Sequence, residues 1–114
     1  MKAPKGPQAL LLRKRKLELV RRFHIPEDLL PGSLSASRTR CGKPTCHCAE
    51  GEGHLAWSLT FMVNGKKQVQ RIPQEWVEEV RRRVEAGHQF QDAVREVLAA
   101  NAQLLALARK QRLQ

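Results

Sequence analysis

Long apolar runs and paired cysteines are both missing from this sequence. The only early apolar run, Ala9 to Leu12, is too short for a signal peptide or a membrane span. Three cysteines cannot pair completely, which argues against a secreted fold held together by disulfide bonds. We therefore expect a cytoplasmic protein with no membrane partner.

Acidic and aromatic residues are also scarce. The 114 residues include 11 Asp and Glu against 21 Lys and Arg, and the net charge is +10. The chain is long enough for about one domain, and a positive charge of this size on so small a protein predicts an anionic partner. Nucleic acid is the commonest partner of this kind. The chain has two tryptophans, three phenylalanines and no tyrosine. We therefore expect contacts to the phosphate backbone rather than base stacking.

All three cysteines lie within eight residues, at Cys41, Cys46 and Cys48, and His54 follows six positions later. Three thiolates and one imidazole form the tetrahedral ligand set that a structural Zn²⁺ takes. We therefore predict a zinc knuckle with these four ligands. His47 is the rival fourth ligand, but its place between two ligand cysteines should point it away from the ion. Free thiols in a loop are the remaining alternative.

The same ligand set argues against an enzyme. Catalytic zinc keeps an open coordination position, whereas four protein ligands close the site. The sequence has no H-E-x-x-H motif, and Glu50 and Glu52 beside the knuckle are expected to be solvated turn residues. A redox role for Cys46 and Cys48 is the remaining catalytic alternative, because cationic surroundings activate thiols.

A basic helix is predicted from about Gln8 to Phe23, after a loose N-terminal arm. Leu10, Leu17 and Val20 supply an apolar stripe, and Glu18 is the helix's only acid. We interpret its basic residues as phosphate contacts, with an ordinary solvated helix face as the alternative. They are Arg13, Lys14, Arg15, Lys16, Arg21 and Arg22.

A β-hairpin is predicted after His54, because apolar residues alternate from Leu55 to Val63 and are followed by Asn64-Gly65. Residues 33–39, which precede the cysteines, are expected to be a linker of small residues. The return strand is expected at residues 66–72.

The hairpin register has two alternatives. A two-residue turn pairs Leu59 with Gln70 and puts glutamines on the apolar face. A three-residue loop pairs Leu59 with Val69 and gathers polar residues on the outer face. We prefer the three-residue loop on this ground.

Two C-terminal helices are predicted, the first from about Gln74 to Ala86 and the second from His88 to Arg112, with Gly87 breaking or bending the chain between them. The buried stripe of the first helix is expected at Trp76, Val77, Val80 and Val84. One bent long helix is the alternative. The fold class is thus α+β, with a basic helix, a zinc-knuckle loop, a β-hairpin and these helices. The expected divisions are residues 1–32, 33–87 and 88–114.

The last helix has a short heptad pattern with Asn101 at an a-type position. A single buried asparagine there fixes register and oligomeric state in coiled coils, which predicts a homodimer. The alternative is packing against the N-terminal helix and the hairpin of the same chain. The pattern comprises Phe90, Val94, Val97, Asn101, Leu104, Ala108 and Gln111.

Several strings resemble a family of small uncharacterised prokaryotic proteins met near transposases. They are Cys41-Gly42-Lys43-Pro44-x-Cys46-x-Cys48, Gly51-x-Gly53-His54, Asn64-Gly65-Lys66 and Ile72-Pro73. The resemblance covers about residues 33–108 and implies a mobile-element context but no established activity. Family members usually have a Pro-Tyr-rich strand after the histidine, whereas this sequence has Leu55-Ala56-Trp57 at that position.

Further basic residues flank the knuckle and enter the hairpin. They are Arg38, Arg40, Lys43, Lys66, Lys67 and Arg71. Together with the basic helix they predict a zinc-stabilised nucleic-acid-binding protein, and the resemblance favours DNA over RNA. The alternative function is a protein-interaction adaptor whose C-terminal helices bind a transposase-like protein or a second copy.

Overall fold

The computed structural model describes Met1, residues 3–39 and residues 54–112. Residues 40–53, which include the predicted ligands Cys41, Cys46 and Cys48, lie outside the described residues, whereas the fourth predicted ligand, His54, lies within them. The class is α+β, as predicted: an N-terminal helix, a three-stranded antiparallel sheet and one long C-terminal helix. The elements are α1 (Pro7–Phe23), β1 (Ser33–Thr39), β2 (His54–Val63), β3 (Lys66–Ile72), a 3₁₀ helix (Gln74–Trp76) and α2 (Val77–Arg112).

The boundaries of α1 follow its sequence. Pro7 occupies the first turn, where its missing N–H costs nothing. The helix ends at His24, which adopts a left-handed conformation with φ of 55°, and the cap N–H bonds to the carbonyl of Val20. None of its residues is buried. Helix α1 therefore contributes no residue to the buried core.

Residues 33–39 form an edge strand, so the prediction of a linker is wrong. Strand β1 pairs antiparallel with β2, and the pairing continues to Thr39 opposite His54. The segment has few residues that favour strands, and Leu34 is its contact with the core. Its structure comes from pairing with β2 rather than from its own preference.

The hairpin uses the two-residue turn, so the preferred three-residue loop is also wrong. Leu59 pairs with Gln70. Asn64 and Gly65 have φ of 52° and 78°, as a type I′ turn requires at both central positions.

The reason for this register lies at the far end of β3. The observed pairing sets Ile72 opposite Trp57, on the same face as Leu59. Ile72 is only 8% exposed, whereas Val69 is 62% exposed. Because α2 covers the sheet near Ile72 and not near the turn, burial of Ile72 decides the register. The glutamines lie on an edge strand that stays in water.

The core lies between one face of the sheet and the first turns of α2. It confirms the predicted helical stripe. The buried residues are Leu59, Ile72, Val77, Val80 and Val84, and Leu30, Leu34, Trp57, Phe61 and Trp76 pack against them.

Helix α2 continues through Gly87, so the predicted break there is wrong. Gly87 is buried, and a Cβ atom at this position would lie 2.4 Å from the carbonyl oxygen of Leu30. The chain before β1 crosses the helix at this point. The Leu30 N–H donates to the Arg83 carbonyl at 3.1 Å, and His88 Nε2 lies 2.7 Å from the Gly32 carbonyl oxygen. The glycine permits close packing and does not end the helix.

The second half of α2 leaves the body. Every residue from 91 to 112 is exposed, so the alternative that this half packs against the N-terminal helix and the hairpin of its own chain is wrong. The molecule is accordingly elongated, with extents of 78 × 35 × 24 Å. Among the described residues, no helix combines the length and the apolarity that crossing a membrane would require.

Candidate nucleic-acid interface

The sheet has a core face and an opposite, outer face. Helix α2 packs on the core face, through Trp57, Leu59 and Ile72. The outer face takes the alternate residues, and the register places Ser35, Ser58 and Arg71 in one row across the three strands. Besides these three, the outer face includes Ser33, Ser37, His54, Ala56, Thr60, Met62, Lys67 and Val69.

This outer face offers hydrogen-bond donors without negative charge. Hydroxyl groups are able to donate to phosphate oxygens, and Lys67 and Arg71 supply positive charge. Both side chains are exposed. The strands, of 7, 10 and 7 residues, contain no Asp or Glu. A phosphate backbone laid across the outer face would thus meet hydroxyls and cations and no carboxylate from the strands.

The predicted basic residues of the sheet do not all share this face. Lys67 and Arg71 lie on the outer face, whereas Lys66 and Arg38 alternate onto the core-face side, where Arg38 is opposite Leu55. Lys66 and Arg38 are exposed because α2 covers only part of that side. The sequence analysis treats these four residues as one group, whereas the strand register places two of them on each face of the sheet.

Helix α1 carries the second group of cations. Arg13 is half-buried and donates to the carbonyl of Pro4. Arg15 lies 3.7 Å from Glu18, and the Arg22 guanidinium stands 5.1 Å from the ring centre of Phe23. Lys14, Lys16 and Arg21 are exposed. At 3.6 residues per turn, Lys14, Arg15, Arg21 and Arg22 lie within an arc of about 120° on the helix, and Arg13 lies outside this arc.

The hydroxyl residues of β1 are the feature that the sequence analysis missed. Ser33, Ser35 and Ser37 were assigned to a linker, and the structure aligns them on the outer face. The signal was present as a period-two pattern, with serines alternating with Leu34 and Ala36. It was weak because only one of these intervening residues is large and apolar.

The predicted metal ligands lie almost wholly outside the described residues. Cys41, Cys46 and Cys48 belong to the segment 40–53, as do the basic residues Arg40 and Lys43 and the rival ligand His47. His54 is the first residue of β2 and is half-buried. Within residues 1, 3–39 and 54–112, His, Cys, Asp and Glu form no group of three that could hold a metal ion.

The pairing of β1 with β2 fixes both ends of the cysteine-bearing segment. Thr39 and His54 are directly opposite each other, and opposed residues in an antiparallel pair have Cα atoms about 5 Å apart. Cys41 follows Thr39 by two residues. The described strands therefore hold His54 beside Thr39, the last described residue before the cysteine-bearing segment.

A profile of one protein family matches residues 11–82, which is more than half of the chain. The chain belongs to that family, domain of unknown function DUF6788. This confirms the resemblance to an uncharacterised family, although the match begins earlier and ends earlier than residues 33–108. The DUF6788 region includes most of α1, the whole sheet and the start of α2. The exposed half of α2 lies beyond it. No curated protein and no solved structure matches the chain.

Proposed function

We propose that this DUF6788 protein binds nucleic acid, with DNA as the preferred form, through the outer face of its sheet and the exposed side of α1. The observation that carries the proposal is the absence of Asp and Glu from all three strands. The acids of the described chain lie elsewhere, chiefly after α1 and on the first turns of α2. This separation keeps carboxylates off the outer face of the sheet and supports backbone contacts rather than base stacking.

The proposal includes one structural zinc ion, held by Cys41, Cys46, Cys48 and His54. The support is the chemistry of this donor set and the position of His54 at the base of the cysteine-bearing segment. A bound ion would fix Arg40 and Lys43 near the end of the sheet. Because four protein ligands leave no open coordination position, the proposal assigns the protein no catalytic residue. The mobile-element context and the cytoplasmic location belong to the same proposal and rest on the sequence.

Salt-dependent binding tests the interface. The variant Lys67→Gln/Arg71→Gln should bind labelled duplex DNA more weakly, and its slope of log K against log salt should fall by about 2 units, because each lost phosphate contact removes about 0.9. Neutralising Arg13, Lys14, Arg15 and Lys16 together should also reduce the slope. The matched control Arg109→Gln/Lys110→Gln removes two charges near the end of α2 and should change the slope little. Parallel titrations with duplex RNA compare the two nucleic acids.

Two outcomes decide against the interface. The first is unchanged affinity and slope in both sets of variants. The second is an equal loss in the Arg109→Gln/Lys110→Gln control, which would show that net charge matters and its position does not.

Metal content tests the knuckle separately. Protein purified without chelator should contain one zinc per chain, and His54→Ala should lower that content because it removes a ligand. His47→Ala is the matched control and should retain the metal. A zinc content near zero in the wild type, with all three thiols titratable, would overturn the ligand assignment.

The exposed apolar half of α2 supports a second candidate function, that of a protein-interaction adaptor. Leu104 and Leu105 are 62% and 72% exposed, which is unusual for a pair of leucines in a monomer. An adaptor would show little salt-dependent retention on DNA, so the same titrations separate the two functions.

A further inference from the structure

The exposed half of α2 presents one continuous apolar stripe. At 3.6 residues per turn its members lie within about 60° of the direction of Asn101, and those from Val94 to Leu105 are 42% to 72% exposed. From Phe90 to Ala108 the stripe is about 27 Å long. Its members are Phe90, Val94, Val97, Leu98, Leu104, Leu105 and Ala108, with Asn101 at the centre.

A helical segment with such a stripe is stabilised mainly by whatever covers it, because helices in water gain little without tertiary packing. The stripe begins where contact with the body ends, at the half-buried Phe90. It must therefore be covered from outside the described part of the chain.

We propose that a second copy of this chain covers the stripe, with the two α2 helices antiparallel and the two-fold axis beside Asn101. The stripe is self-complementary about this residue. In an antiparallel pair centred there, Val97 is level with Leu105 of the second copy, and Leu98 is level with Leu104. Val94 is level with the small Ala108, and the two Asn101 amides meet at the axis, where each can donate to the other.

Charge selects the antiparallel arrangement. Three cations, Arg109, Lys110 and Arg112, lie at the end of the helix with no acid among them, whereas Asp92, Arg95 and Glu96 lie near its exit from the body. There Arg95 donates to Asp92 at 3.1 Å. A parallel pair would bring the two cationic ends together. An antiparallel pair separates Lys110 from its symmetry mate by about 27 Å, well beyond the screening length of about 8 Å at physiological salt.

The shape of the helix surface also favours the antiparallel orientation. Phe90, Ala93, Val94, Val97 and Leu98 line a shallow apolar depression at the base of the exposed half. In the antiparallel pair the last turns of the other helix lie over this depression. Leu104 and Leu105 of that helix would then enter it as knobs into a hole.

Sedimentation of the full-length chain, without nucleic acid, tests the proposal. Wild-type protein should form dimers at about 100 µM and dissociate on dilution. Val97→Lys and Leu105→Glu should each weaken association at least about tenfold, because each puts a charge in the apolar contact. The matched controls Ala106→Lys and Ala99→Glu place the same charges on the far side of the helix and should leave association unchanged.

The double variant Val97→Lys/Leu105→Glu tests the orientation. In the antiparallel dimer each lysine is level with a glutamate of the other copy, so dimerisation should be largely restored. In a parallel dimer lysine would meet lysine and glutamate would meet glutamate, and association should fall further. Asn101→Leu should tighten association by about tenfold or change its stoichiometry, because the polar pair at the axis is lost.

Three results would each overturn the proposal: a monomeric wild type at about 100 µM, a double variant weaker than both single variants, or an Asn101→Leu variant that associates like the wild type. Because no nucleic acid is present, these results are independent of whether the protein binds DNA.

Discussion

At the scale of single residues, Gly87 shows how a missing side chain can position two segments. Its Cα surface is the contact point for the backbone of Leu30, which leads into β1 through Gly32. Gly32 is equally confined: its φ is +94°, and a Cβ atom there would lie 2.1 Å from the carbonyl oxygen of Thr60. The path of the chain into the edge strand is thus set by two glycines, one against the helix and one against the sheet.

Gly87→Ala should destabilise the protein by about 1–3 kcal/mol, because the new Cβ overlaps the Leu30 carbonyl and the chain must move. The direction of the change distinguishes packing from helix propensity. At an unconstrained helical position, replacing glycine with alanine would instead stabilise the protein by about 1 kcal/mol. Urea unfolding of the variant measures the change. The control Ala99→Gly, in the exposed half of the same helix, should lose only the propensity difference. A stabilised Gly87→Ala variant would contradict the packing contact.

At the scale of elements, the register of the sheet shows a conflict between the sequence pattern of the two hairpin strands and the packing of α2 on the sheet. Within β2 and β3 alone, gathering the glutamines on the outer face looks favourable. The position of α2 reverses this preference, because the helix covers Ile72 and leaves Gln70 and Val69 at the solvated edge.

Ile72→Ala and Val69→Ala measure the register directly. Ile72→Ala should cost about 2–4 kcal/mol, because it opens a cavity in the core. Val69→Ala should change the unfolding free energy by no more than about 0.5 kcal/mol, because its side chain is already in water. Denaturant melts of both variants provide the comparison. With the three-residue loop the order of the two effects would be reversed.

Periodic segments were predictable from the sequence, and segments whose structure depends on a neighbour were not. The 3.6-residue stripe around Val80 and the alternation in β2 are local signals, and both elements were placed within a few residues. Strand β1 has little local signal, and Gly87 has the sequence appearance of a helix breaker. Each takes its structure from a contact across the fold, with β2 in the first case and with Leu30 in the second. Of the candidate site, the basic residues were identified, but their division between two faces needed the register.

At the scale of the whole molecule, the chain is a small body with a long helix leaving it. The radius of gyration is 21.0 Å, against about 13 Å for a compact chain of this length. The body contains every residue of the buried core, and the proposed DNA-binding surfaces lie on it. The protruding half of α2 contributes to neither.

Deleting residues 95–112 should therefore leave the body folded. Its thermal midpoint should match that of the dilute full-length chain within about 2 °C, because no buried contact is lost. The midpoint should also become independent of protein concentration, since the proposed contact between copies is gone. Differential scanning calorimetry at several concentrations gives both values. A midpoint well below that of the dilute full-length chain would show that the exposed helix supports the body.

The pairing of Thr39 with His54 has a thermodynamic consequence for the proposed zinc site. The pairing of the two strands by itself brings together the ends of a fourteen-residue segment, 40–53. Closing a loop of this length costs about 2 kcal/mol in chain entropy. The pairing of β1 with β2 offsets this cost, so metal binding does not have to. Ion affinity and strand pairing are then linked quantities, so that loosening β1 would raise the dissociation constant for zinc without altering any ligand. Zinc would in turn protect the amides of β1 from hydrogen exchange.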